Sequence, residues 1–234
     1  MPNSYLLKWD QTGERWYQNG VSHGVLFPMT SEGTYGDGVV WNGLTGIDEN
    51  PDGGDITDLW ADNIKYASFR NPENYGGTIK AYTYPDEWLP CDGQKAVGGV
   101  VYQGQKRQPF GLCYRTELGN DTMTDTDDAY ILHLVYNATV SPSSKSHATQ
   151  NENPDAEEMS WDFKSLPVAV EGVTGVAFTS KLELDSRKLT ATKMAAIEQV
   201  LYGTPAVTGT NAAAAVPARL PLPGEVASII AAAT

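Results

Sequence analysis

Residues 105–122 read QKRQPFGLCYRTELGNDT, and the fold turns on how this stretch is read. From Phe110 to Leu118 the even positions are Phe, Leu, Tyr, Thr and Leu, and the odd ones are Gly, Cys, Arg and Glu. A side-chain period of two belongs to a strand with one packed face and one polar face. The alternation predicts Phe110, Leu112, Tyr114 and Leu118 in a core, with Arg115 and Glu117 on the opposite, polar side. The neighbouring AYILHLVYNATV, residues 129–140, alternates in the same way. Tyr130, Leu132, Leu134 and Tyr136 stand against His133, Asn137 and Thr139, which places His133 on a polar face.

Working outward, further strands are predicted at GVVWNGLT (38–45), LWADNIKYASF (59–69), GGTIKAYTYP (76–85), EMSWDFKSL (158–166) and FTSKLELD (178–185). WYQNGVSHGVLFPM near the start reads as a short hairpin turning at Asn19-Gly20. One segment changes period. TATKMAAIEQVLYG, residues 190–203, puts Met194, Ile197, Val200 and Leu201 on one side, with Thr190 as N-cap and Gly203 as stop. The fold expected is all-β, two packed sheets forming a sandwich or barrel with one flanking helix. Residues 1–35 are read as an extended N-terminal arm, 36–203 as the β domain with its helix at 190–203, and 204–234 as a low-complexity linker and tail whose end forms one short helix. The arm, the acidic loop 48–58 and the tail are expected to be mobile in a free subunit.

The 234 residues carry a net charge of −13, with 16 Lys plus Arg against 29 Asp plus Glu. Gripping a nucleic acid needs clustered cations to displace counterions, and Lys106-Arg107 is a basic island of two in an acidic chain. Those two are expected to work between protein groups. The two cysteines, Cys91 and Cys113, have neither metal spacing nor a disulfide pattern. No stretch is long and apolar enough to span a bilayer as a helix, and folding in a reducing cytoplasm is expected.

No catalysis and no cofactor are expected from the motifs of the sequence. DENPDG (48–53) opens with calcium-loop spacing at Asp48, Asn50, Asp52 and Gly53, but its twelfth position is Leu59 where a bidentate Glu belongs. Asp86 and Glu87 lie beside Tyr82, Tyr84 and Trp88, a glycosidase-like composition. Adjacent residues on an extended chain point to opposite faces, so the two do not flank one bond. His23, His133 and His147 are scattered, and phosphate loops, nucleophile elbows and dinucleotide fingerprints are absent from the sequence.

The series KWDQTGERWYQNGV (8–21), GVVWNGLT (38–45), ADNIKYASF (61–69), AYTYPDEW (81–88), QKRQPFGLCYRTELGNDT (105–122), LHLVYNATVSPS (132–143) and the late RLPLPGEV resembles, in this order, the major tail protein of long, non-contractile-tailed bacteriophages. The resemblance implies a structural protein of the virion tail, assembled in the bacterial host cytoplasm. Six copies form a ring, and rings stack into a tube that conducts double-stranded DNA without binding it specifically. The implied partners are further copies of the chain, a tape measure protein, a tail terminator and a distal tail protein. Neither catalytic residues, nor a cofactor, nor a metal, nor a membrane are implied. Candidate contacts between subunits or rings are Trp9 and Trp16 in the arm, Asp48, Asp52 and Asp55 in the acidic loop, Lys106 and Arg107, and Arg219 in the tail. The second reading is a carbohydrate-binding β sandwich, on the strength of its Tyr, Trp and acidic loops. A glycoside hydrolase is the third.

Overall fold

The computed structural model describes residues 6–30, 32–122, 129–147, 149, 156–206 and 214–233. The strands are β1 (Trp16–Pro28), β2 (Val39–Trp41), β3 (Leu44–Glu49), β4 (Asp52–Gly53), β5 (Ile56–Ala61), β6 (Ile64–Arg70), β7 (Glu73–Asn74) and β8 (Gly76–Ala81). After a short 3-10 turn at Asp86–Trp88 come β9 (Lys95–Val97), β10 (Val100–Tyr102), β11 (Phe110–Asn120), β12 (Tyr130–Val140), β13 (Met159–Ser165), β14 (Val168–Ala169), β15 (Phe178–Thr179) and β16 (Lys181–Asp185). Two helices, α1 (Ala191–Tyr202) and α2 (Pro223–Ala232), close the order.

The architecture is all-β, built on one large sheet in the order β2-β1-β11-β12-β13-β8-β3, with β16 also paired to β12. The sheet curls until its ends meet. A Cβ on Gly24 of β1 would lie 2.4 Å from the Leu44 side chain of β3, so only glycine permits this approach. Inside the curl sit Leu26, Trp41, Ile79, Phe110, Leu112, Tyr114, Val135, Val140, Trp161 and Phe163, all buried. Trp88, carried on the 3-10 turn, inserts among them with its ring 4.5 Å from Trp41, 4.9 Å from Phe110 and 5.5 Å from Trp161. Asp86 and Glu87, the carboxylates beside it, stay exposed.

The even face of β11 is core as the alternation predicts, since Phe110, Leu112 and Tyr114 pack inside the curl and Leu118 is buried. The odd face departs from the expected polar surface. Cys113 lies in a second apolar core with Val25, Phe27, Leu132, Leu134, Tyr136 and Leu184, covered by Met194, Ile197 and Leu201 of α1 and by Leu220 and Val226. Only toward the strand's far end does polarity return, where Glu117 is exposed and the Arg115 guanidinium lies 3.9 Å from the Tyr130 ring. The middle of the sheet is therefore buried on both sides, which a period-two reading does not see.

A bulge switches faces along β12. Phe110 pairs with Ala138 and Leu112 with Val135, so β12 spends one more residue there than β11. Asn137 takes φ +47° to absorb it. Before the bulge the even residues face α1; after it, Ala138 and Val140 face the inner core.

Three sequence expectations are corrected here. Residues 16–28 do not belong to an arm or a hairpin, because β1 runs through Asn19-Gly20 as one bulged strand against β11, with Val25, Leu26 and Phe27 buried. Residues 59–69 are not one strand: Asp62 and Asn63 both take positive φ, 51° and 61°, forming the two-residue turn of a β5–β6 hairpin. The tail is part of the domain. Gly38 N donates to Ala218 O at 2.8 Å, Arg219 N to Val200 O at 2.9 Å, and Tyr136 Oη to Pro221 O at 3.0 Å. Of the alanine-rich 211–215, residues 211–213 lie outside the described residues. Helix α1 matches its prediction, with the Thr190 side chain accepting from Lys193 N.

Burial pushes the thiols of Cys91 and Cys113 up to about 12, against an ordinary value near 9. Because the thiolate is the reacting form, a thiol reagent at pH 8 is expected to label neither cysteine in the native protein and both in denaturant. Fast native labelling of Cys113 would mean that α1 lifts from the sheet.

Candidate assembly surface

Among the described residues, the β5–β6 hairpin stands outside the sheet and pairs only with itself. Every residue of β5 is exposed, and so is every residue of β6 except Ala67. Its register places Thr57, Leu59, Ala67 and Phe69 on one face and Asp58 and Ser68 on the other. Asp58 is tied there to Lys65 at 2.8 Å and Ser68 at 2.7 Å. The hairpin also exposes Ile56, Trp60, Ile64 and Tyr66, the last at 73%. An isolated two-stranded hairpin is marginal in water, and its large apolar side chains form a patch of the kind that marks an interaction site. Two Asp balance one Lys and one Arg in residues 56–70, so the hairpin is neutral within a chain of net charge −13.

A second small hairpin, β9–β10, likewise pairs only with itself and exposes Val97, Val100, Val101 and Tyr102. In the chain before β1, Leu6, Leu7 and Trp9 are each more than 70% exposed. These three surfaces were missed, or seen only in part, from the sequence. The usable signal was the Asp62-Asn63 turn flanked by aromatic residues.

The predicted contact residues do not converge on one site. Trp9 is free-standing and exposed, whereas Trp16 carries the Arg187 guanidinium 4.4 Å from its ring. Asp48 pairs with Lys80 of the neighbouring strand β8 at 2.7 Å, and Asp52 of β4 with Lys164 of β13 at 3.0 Å. Asp55 is exposed beside the root of the β5–β6 hairpin, where its carbonyl accepts from Asn71 N. Lys106 and Arg107 line an open cleft of about 630 Å³ with Met29, Lys95 and Pro109. Arg107 reaches Asp92 of its own chain at 4.0 Å, and Lys145 approaches the same buried carboxylate at 3.4 Å. Arg219 forms a two-pronged pair with Glu225, which raises the Arg219 pKa and lowers that of Glu225.

His133 is not a surface histidine. It is 3% exposed, stacked at 4.5 Å and 6° on Tyr114, and its Nε2 lies 2.8 Å from Thr116 Oγ1. Its Nδ1 faces Glu183 at 3.5 Å, without a hydrogen bond. Lys181 bridges Glu49 and Glu183, the latter at 2.6 Å, and Tyr114 Oη donates to Glu49 at 2.8 Å. Burial, then the Lys181 ammonium, push the His133 pKa down to about 4, against the opposing pull of Glu183 and Glu49. The imidazole is therefore neutral at pH 7. Burial works against the Glu49 carboxylate, but hydrogen bonds from Lys181 and Tyr114 outweigh it and hold its pKa below the ordinary value.

Fold and surface together define a β-barrel-like domain with a helical cover and protruding apolar hairpins. A scan of family models finds no match to this chain, and a search of curated proteins finds none either.

Proposed function

We propose that this chain is the structural subunit of a phage tail tube, in which six copies close into a ring and rings stack into a channel for double-stranded DNA. The observation that carries the reading is the neutral, apolar, self-paired β5–β6 hairpin projecting from an acidic barrel. A surface of that kind needs cover, and a second copy of the chain is the occupant we assign. Chains of net charge −13 repel one another, so contact between them is favoured where charge is locally zero. A closed ring of identical subunits also turns exposed strand edges into interfaces. The ordered resemblance of the sequence motifs to tail tube proteins agrees with this assignment. Acidity left facing the bore would repel the phosphates of passing DNA.

The test is negative-stain imaging of the purified full-length chain over a concentration and salt series, with sedimentation in parallel. Sixfold rings or tubes are the expected result, with no salt-sensitive retention of duplex DNA. A chain that stays monomeric throughout and is retained on polysaccharide would replace this reading with a carbohydrate-binding module.

A further inference from the structure

Glu49, His133 and Glu183 come from three strands and meet at one end of the barrel. One ligand atom from each lies within 4.8 Å of the other two. The histidine forms the floor of this cluster, almost fully buried, while the carboxylates form a rim, their side chains 37% and 55% exposed. Two features point to a ligand. The first is His133 Nδ1, buried, aimed into the cluster and lacking any hydrogen-bond partner. The second is the Lys181 ammonium, which already places a cation between the two carboxylates.

We propose that this cluster is a binding site for a divalent transition-metal ion of the zinc class, taken up in exchange for the Lys181 ammonium. Mixed imidazole and carboxylate donors suit such an ion, with ligand bonds of about 2.0–2.2 Å. Donors that far from one centre lie about 3.3–3.6 Å apart in a tetrahedral site, so a spacing as wide as 4.8 Å has to close by about 1.2–1.5 Å as the ion enters. Glu49 and Glu183 reach solvent, so an ion enters from the rim. Lys181 is a flexible side chain and swings outward as the ion arrives. The neutral imidazole offers Nδ1 once its proton resides on Nε2, where Thr116 Oγ1 is in place to accept it. Such a partner on the distal nitrogen is the usual support of a metal-bound histidine. Tyr114 does the same for Glu49, and the Tyr75 hydroxyl, buried beside Tyr114 and Glu49, is in place for a metal-bound water. A bound ion would tie β3 to β12 and β16. No hydrogen-bonded ladder joins β3 to those two strands, so the ion would act as a staple across the barrel end.

The experiment is calorimetric titration of the chelator-treated full-length protein with Zn²⁺ at pH 7.5, with melting temperature as a second readout. The variants are Glu183→Gln at the rim, Lys181→Met, and His147→Asn as a control for the exposed His147–Glu157 pair. Wild type is expected to bind one ion per chain and to melt higher with the ion present. Glu183→Gln should weaken binding by about tenfold or more and lose the melting shift, following the loss of a ligand. Lys181→Met should bind more tightly by about tenfold, because the competing charge is gone. His147→Asn should change nothing. The proposal is overturned if wild type shows no saturable binding, including the case where only Lys181→Met binds, or if His147→Asn abolishes the signal. Indifference of binding to Glu183→Gln would overturn it equally.

Discussion

Removing residues 214–234 is expected to abolish cooperative folding. Leu220 and Val226 are 4% and 3% exposed in the second core, and the segment also covers Phe27 and Tyr136. Losing two buried aliphatic side chains costs about 2–5 kcal/mol each, before counting the surface they leave exposed. The sum approaches the whole stability of an ordinary domain, about 5–15 kcal/mol. Polar groups lose partners as well: Gly38 N and Tyr136 Oη lose the acceptors Ala218 O and Pro221 O, and Val200 O loses the donor Arg219 N. The single substitution Leu220→Ala isolates the packing contribution, and its melting temperature should fall by about 5–15 °C. Near-ultraviolet circular dichroism during thermal unfolding reads both. A truncated chain melting sharply within a few degrees of the full one would make the segment a tether, as its composition suggests.

That contrast shows where the sequence was legible. The inner face of β11 was readable because neighbours along one strand carry the alternation. Its outer face was not, because the cover over Cys113 comes from α1 and α2, about eighty to one hundred and ten residues later in the chain. Helix α1 was readable from its period and caps, but nothing local says which sheet face it covers. Residues 204–224 look like linker because Ala, Pro, Thr and Gly dominate them, yet Leu220 packs with Tyr136 and against Gly111; a Cβ on Gly111 would meet Leu220 at 2.3 Å. The same distance in sequence hides the polar cluster. His133 alternates with Leu132 and Leu134 and so reads as solvent-facing, while Glu49, Lys181 and Glu183, which surround it, arrive from remote strands. For the hairpin the failure was different. LWADNIKYASF holds enough β-formers to look like one strand, and the two-residue turn at Asp62-Asn63 was overlooked inside it.

Replacing residues 56–70 by a short Gly-Ser turn is expected to leave the domain folded and to prevent higher assembly. The hairpin contributes no residue to either core, so its removal costs no buried packing. Below it, Asp52 still pairs with Asn74 and Gly53 with Glu73, so the stem can be closed without disturbing β3 or β8. The melting temperature should stay within about 3 °C, since substitutions away from the core shift stability by about 0.5 kcal/mol or less. On the proposed reading, assembly depends on the exposed face. A buried Leu, Ile, Phe or Trp contributes about 1.5–3 kcal/mol when covered by a partner, and the hairpin offers Ile56, Leu59, Trp60, Ile64 and Phe69. In the proposed six-copy ring, losing even a few of those contacts per subunit should move the particle distribution from tubes to rings or single subunits. Leu59→Ser with Phe69→Ser tests the same face without shortening the chain, because both lie on the side opposite Asp58 and its partners Lys65 and Ser68. Electron micrographs and sedimentation profiles of the two variants beside wild type decide the matter. Tubes of normal length from a folded, hairpin-less chain would remove the observation on which the assembly reading stands, and the other apolar surfaces, β9–β10 and the arm around Trp9, would have to carry the contacts instead.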